Sequence, residues 1–213
     1  MHETFGATAV HVLDWVGTLA FAISGGLLGA KKRFDLFGIL FLSFVVAVAG
    51  GVMRDVLIGA VPPAAFSEIH YFAIAVSGGL VTFFWARNIA AYQRQIQLVD
   101  AFGLGLFAVV GAQKALEFGI HPVMAAVMGM VTGIGGGMIR DVLAGEIPFV
   151  LRSDLYAVAA LAAGAAVAVG KELGISEITS MLVGAVVCIV LRLLAIYCGW
   201  RVPTAPDPRS IRG

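Results

Sequence analysis

The sequence predicts an all-α integral membrane protein of seven transmembrane helices, built as two inverted three-helix repeats followed by a seventh helix. Composition is the first reason. The chain of 213 residues is 60% hydrophobic and 13% charged, with a mean hydropathy of +0.98, whereas a soluble domain carries about a quarter charged residues. Internal duplication is the second. GGVMRDVLIGAVP, from Gly50 to Pro62, returns 86 residues later as GGMIRDVLAGEIP, from Gly136 to Pro148. The match extends back without gaps through Asp14/Asp100, Gly17/Gly103, Phe21/Phe107 and Gly25/Gly111, with 14 of 49 positions identical between Asp14–Pro62 and Asp100–Pro148. Charge asymmetry is the third reason, and it sets the orientation.

Seven apolar segments follow in order, at 10–30, 36–59, 69–86, 98–117, 122–144, 155–170 and 177–199. Each approaches the roughly 20 helical residues needed to cross a hydrocarbon core. None alternates polar and apolar residues as a barrel strand would. Polar breaks separate them: Lys31-Lys32-Arg33, Pro62-Pro63, Arg87 to Gln97, Glu117 to His121, Glu146 to Asp154, and Lys171-Glu172. Asp35 and Ser153 are expected to cap the second and sixth segments, and Pro122 to open the fifth from its first turn. The organisation predicted is a first repeat at 10–87, a second at 98–171, a seventh helix at 177–199 and a disordered, proline-rich tail at 203–213. Glu3 and Asp14 stand where a cleavable leader would be basic, so none is expected.

Lys31, Lys32, Arg33, Arg87, Arg94, Arg152, Arg201, Arg209 and Arg212 gather on one side if the N-terminus lies outside, leaving little besides Lys171 on the other. Positive charge stays in the cytoplasm, so the N-terminus is expected outside and the C-terminus inside. Three helices per repeat is an odd number, which turns the second copy upside down relative to the first, an arrangement common in transporters.

Chemistry is expected at the duplicated motif. Gly50-Gly51 and Gly135-Gly136-Gly137 are candidate helix breaks lining a pathway. The competing reading is close packing, since Gly129, Gly133 and Gly137 form a small-residue ladder. Arg54, Asp55, Arg140 and Asp141 follow about one turn later, at a depth where charge is costly unless paired or hydrated. Matched depth predicts that Asp14 neutralises Arg54 and Asp100 neutralises Arg140, while each Arg need not pair with its own neighbouring Asp. Asp14, Thr18, Phe21, Gly25 and Leu28 share one helix face, as do Asp100, Leu104, Phe107, Gly111 and Lys114. Lys114 could line a pore or snorkel to the interface, and its counterpart Leu28 is apolar. Arg192 is expected to snorkel, the Ala/Gly run from Ala157 to Gly170 to pack closely, and Cys188 and Cys198 to be free, buried thiols.

Other chemistries find little footing. His11 and Asp14 stand one turn apart but fall short of a zinc set, so no metal is expected. Gly135-Gly136-Gly137 lacks the Lys-Ser/Thr of a phosphate loop. No serine or histidine stands in a triad-like arrangement, so an enzyme is not expected. A net charge of +1 gives no argument for nucleic acid, and no cofactor is implied.

With its two repeats, seventh helix and paired GGVMRDVL and GGGMIRDVL motifs, residues 10–200 resemble the prokaryotic branch of the TRIC (trimeric intracellular cation) channels, a sequence family that also carries a glycine-transporter domain name. The resemblance implies homotrimers in a bacterial inner membrane. It also implies one pore per subunit around kinked second and fifth helices, and permeation of potassium or sodium ions, chiefly potassium. By resemblance the motif positions are Gly50, Gly51, Arg54 and Asp55, with Gly136, Gly137, Arg140 and Asp141. Ala49 replaces the first glycine of the triplet. The Lys-Glu-Val signature of eukaryotic members is not evident, so their regulation is not implied. Two other readings stand beside the channel. An arginine suits a carboxylate, which favours a carrier for glycine or another small amino acid; a scaffold without flux is the third.

Overall fold

The computed structural model describes residues 2–85, 92–152 and 155–200. Among them the chain is helical throughout: α1 (His2–Lys31), α2 (Leu36–Ile58), α3 (Ala64–Ser67), α4 (Ile69–Trp85), α5 (Tyr92–Glu117), α6 (Pro122–Leu143), α7 (Phe149–Arg152), α8 (Tyr156–Glu172) and α9 (Glu177–Cys198). Five of these, α1, α2, α5, α6 and α9, are long and apolar enough to cross a membrane. The helices α4 and α8, at 17 residues each, sit at the lower limit of a span. Sequence periodicity did not separate out α3 and α7, which occupy the polar breaks after each motif. The start of α5 at Tyr92 also precedes the expected 98. Its polar first turns are held by Lys31 Nζ donating to Gln93 and by the Arg94 guanidinium lying 4.6 Å over the Tyr197 ring. The capping role expected of Ser153, the positive charges at Arg87, Arg201, Arg209 and Arg212, and the tail at 203–213 lie outside the described residues.

Helix ends follow local chemistry that the duplication repeats. Asp35 accepts from the Gly38 amide at 2.7 Å to start α2, and His121 at the matching position accepts from the Val123 amide to start α6, with Pro122 in the first turn. Gly59 and Gly145 end the motif segments at φ +78° and +69°, a conformation that costs a residue with a Cβ.

The centre of the molecule is a reciprocal crossing. A Cβ on Gly17 would lie 2.6 Å from the Phe107 ring, and one on Gly103 would lie 3.1 Å from the Phe21 ring. The contacts run 17 to 107 and 21 to 103, so α1 and α5 are antiparallel, and exchanging each residue for its duplicate turns one contact into the other. The same holds between α2 and α6, where Gly50 abuts the Thr132 carbonyl and Gly136 the Val46 carbonyl. Neither α2 nor α6 is interrupted at its glycines. The backbone thus stays helical through Gly50-Gly51 and Gly135-Gly136-Gly137. These glycines remove the side chains that would keep two backbones apart, as small residues do between membrane helices. Phe21 and Phe107, both buried, meet edge to face at 5.1 Å beside the crossing. The remaining core lies between α5, α6, α8 and α9, where Ala159, Ala160 and Ala163 pack as the Ala/Gly run anticipates.

Candidate functional site: a duplicated charge cluster between two cavities

Both copies of the Arg-Asp motif are buried, and each builds the same local unit. Arg54 Nε donates to Asp55 Oδ1 at 2.8 Å, and Arg140 Nε to Asp141 Oδ1 at 2.9 Å. The other oxygen of each aspartate accepts the first amide of the short helix that follows, Ala64 N at 3.0 Å and Phe149 N at 2.9 Å. Each Arg pairs with its own Asp, which the angle between adjacent helical residues had left open. The long Arg side chain curls back far enough to close that angle.

A second carboxylate faces each unit, and here the halves diverge. In the second half-site Arg140 Nη1 pairs with Asp100 and donates to Ser24, as matched depth predicts for Asp100. In the first half-site no ion pair joins Asp14 to Arg54 among the described residues. Asp14 instead accepts from the Tyr71 hydroxyl, and Arg54 Nη1 is buried without a hydrogen-bond partner. The expected Asp14–Arg54 pair is thus replaced because α4 supplies a competing donor.

Tyr71 has a duplicate that an ungapped match misses. The loop after the motif is one residue shorter in the second copy, so beyond it the offset falls from 86 to 85. Tyr71 then matches Tyr156, Ala75 matches Ala160 and Gly79 matches Gly164. A one-residue gap at Pro62/Pro148 would have shown it. The Tyr156 hydroxyl and Asp100 Oδ2 are both buried without a hydrogen-bond partner among the described residues. They lie on the same glycine: a Cβ on Gly137 would be 2.5 Å from the Tyr156 hydroxyl and 3.0 Å from Asp100 Oδ1.

Two further cations balance the clusters. Lys114 Nζ reaches Asp55 Oδ1 at 2.8 Å, with its side chain 23% exposed, so it lines the site as an ion-pair partner. Its duplicate Leu28 supplies no charge, and the second half-site draws on another helix. Arg192, 1% exposed, lies with its guanidinium 4.7 Å over the Tyr156 ring. It is buried in the helix pack and does not snorkel. Cys188 is buried and free as expected, whereas Cys198 is free but exposed at the end of α9.

The two half-sites open onto cavities of unequal size. A cavity of about 440 Å³ is lined by Asp14, Arg54, Tyr71 and Lys114, with Glu68 and Glu117. Its inner edge continues as a small void past Thr18 and Gly51 to Phe107. A second cavity, of about 80 Å³, is lined by Leu28, Lys31, Asp141, Glu146, Phe149 and Arg152. His11 lines the larger cavity beside Asp14, and no metal-holding group of side chains occurs among the described residues.

This fold and site define an all-helical integral membrane protein with a duplicated charge cluster, each copy beside a cavity. The sequence profile of the glycine transporter family matches residues 11–87 and 97–172. The UPF0126 membrane protein of Deinococcus radiodurans is 46% identical over 163 residues, 76% of each chain. The UPF0126 inner membrane protein YadS of Escherichia coli is 38% identical over 197 residues, 92% of this chain and 95% of YadS. The crystal structure of the TRIC trimeric intracellular cation channel orthologue from Rhodobacter sphaeroides superposes with a TM-score of 0.88 at 34% identity, covering 91% of this chain and all of that one. The protein belongs to the glycine transporter family, is related to UPF0126 membrane proteins over three quarters or more of its length, and has the fold of the bacterial TRIC channels.

Proposed function

We propose that the protein is a monovalent cation channel, conducting chiefly potassium and also sodium, with one pathway in each subunit of a homotrimer in a bacterial inner membrane. Seven helices cross the bilayer as two inverted three-helix repeats and a supporting α9, with the N-terminus outside and the C-terminus in the cytoplasm. The reciprocal antiparallel contacts of α1 with α5 and α2 with α6 support the inversion. The observation that carries the reading is a duplicated one: each buried charge cluster adjoins a cavity, wide for the first copy and narrow for the second, and Phe21 meets Phe107 where the two repeats cross. It occurs in a fold shared with cation channels.

Carboxylates also favour cations. Asp14, Glu68, Glu117 and Glu177 outnumber Arg54 and Lys114 around the wide cavity, so the local field draws cations in. The clusters neutralise their own arginines, which removes the barrier that fixed positive charge would raise. Gly50, Gly51, Gly135, Gly136 and Gly137 let α2 and α6 approach and slide at the constriction. Arg54, Asp55, Arg140, Asp141 and Lys114 form the charged wall, with Asp14 and Asp100 as their facing partners.

The unpartnered Arg54 Nη1 beside a cavity is also suited to a carboxylate, which keeps a glycine carrier as the second reading. Purified protein in liposomes separates the two. Unitary potassium currents support the channel. Saturable glycine exchange without current supports the carrier, and neither activity leaves a scaffold.

A further inference from the structure

We propose that Lys114 is a specificity-determining residue of the pathway: its ammonium, held against Asp55 in the wall of the wide cavity, excludes divalent cations and leaves potassium and sodium to pass. The inference rests on the reading that this cavity belongs to a cation pathway.

Lys114 is not needed to build the cluster it joins. In the second half-site Asp141 is completed by its own arginine, through Nε and Nη2 at 2.9 Å each, and by the Phe149 amide. The position matching Lys114 there is the apolar Leu28. Asp55 likewise holds Arg54 Nε and the Ala64 amide before any lysine is counted. The lysine is thus added to a finished unit, in one half of the molecule only. Its placement differs from that of the group it pairs with. The Asp55 side chain is 1% exposed, whereas that of Lys114 is 23% exposed and lines the cavity. The ammonium therefore faces whatever enters.

Its charge sets the balance of the cavity. Asp14, Asp55, Arg54 and Lys114 make the inner end neutral in sum, two carboxylates against two cations. Glu68, Glu117 and Glu177 line the remainder and leave it moderately acidic. Without Lys114, Asp55 keeps one cation in place of two, and a permeant ion would fill the lysine's place. The response depends on the charge of that ion. Local concentration follows the exponential of charge times potential, so a field that concentrates a monovalent ion about threefold concentrates a divalent one about ninefold. Magnesium also binds carboxylate oxygens and sheds its water reluctantly. An ion that dwells too long blocks those behind it. The carboxylates of the cavity form no metal-holding group among the described residues. Discrimination therefore rests on the field, and a tethered ammonium weakens that field without ever leaving.

Two measurements on purified protein test this, in a background of Cys188→Ala and Cys198→Ser. Val10→Cys, half-buried in the cavity wall, reports the field as the ratio of its modification rates by a cationic and an anionic thiosulfonate reagent in detergent. Lys114→Met, which keeps the length of the side chain, should raise that cationic-to-anionic ratio about tenfold, roughly threefold from each reagent. Lys114→Arg should restore it. In planar bilayers, the magnesium concentration on the wide-cavity side that halves the potassium current should fall about tenfold in Lys114→Met and return in Lys114→Arg. Lys114→Gln, which can still donate to Asp55, serves if the methionine variant fails to fold. A rate ratio unmoved by loss of the charge, or moved equally by Lys114→Arg, would overturn the inference. A shifted ratio with no potassium current would overturn the channel reading, and the filter with it. Potassium currents with unshifted magnesium block would overturn the filter alone.

Discussion

The two halves of this molecule carry the same Arg-Asp pair, the same facing aspartate and the same tyrosine, yet one adjoins a wide cavity and the other, more tightly packed, a narrow one. Lys114 and the Asp14–Tyr71 bond belong to the open half; Arg140–Asp100, Ser24 and the stacked Arg192 belong to the packed one. Chemistry alone therefore does not fix the state of a half-site. The facing aspartates differ in partner within one chain, Tyr71 for Asp14 and Arg140 for Asp100.

The comparison can be broken first at the aspartates. Asp100→Ala should destabilise the protein by about 3–5 kcal/mol, because it strips the facing partner from a fully buried Arg140. Asp14→Ala should cost about 1 kcal/mol, the loss of a hydrogen bond beside a cavity. Thermal unfolding in detergent, followed by tryptophan fluorescence, measures both, and equal losses would mean the halves are equally packed. Next comes the crossing. Gly50→Ala drives a methyl group into the Thr132 backbone carbonyl, which no rotamer relieves, and should cost about 3 kcal/mol. Gly137→Ala, pressed against Tyr156 and Asp100, should cost about 1–3 kcal/mol, whereas Gly51→Ala at the duplicate position should be neutral or slightly stabilising. Smallest is the surface pair between the α1–α2 and α6–α7 connections, Lys32 Nζ to Glu146 Oε1 at 2.7 Å. Lys32 holds the Glu146 carboxyl below its ordinary value. Its stabilisation is present above the unfolded glutamate value and disappears as pH falls through the lowered folded one. An exposed pair of this kind is worth about 0.5 kcal/mol, which Glu146→Gln would remove in a melt at neutral pH.

Much of this was legible in the sequence. The membrane class followed from composition, and the Arg-Asp clusters from duplication, because charge persists at such depth only when it is partnered. The Asp100–Arg140 pair followed from depth. The rest was hidden for physical reasons. Tyr71 and Tyr156 fell beyond a one-residue shift in register. Arg54 was assigned Asp14 because depth cannot reveal a third residue, from α4, competing for the same oxygen. Arg192 was read as an end-of-helix cation, since one helix alone does not show the tyrosine ring that receives it. Packing was one of two readings of the glycines, and the backbone contacts of Gly50 and Gly136 become visible only when α2 and α6 are brought together.

Single-channel recording of Arg140→Ala beside Arg54→Ala tests the central claim most directly. Removing Arg140 takes away the cation that ties Asp100 and Asp141 together in the packed half, so open probability for potassium should rise several-fold. Removing Arg54, whose half is already open, should change it little. Equal effects of the two substitutions, or a rise with Arg54→Ala alone, would contradict an account in which one motif sits in two different states.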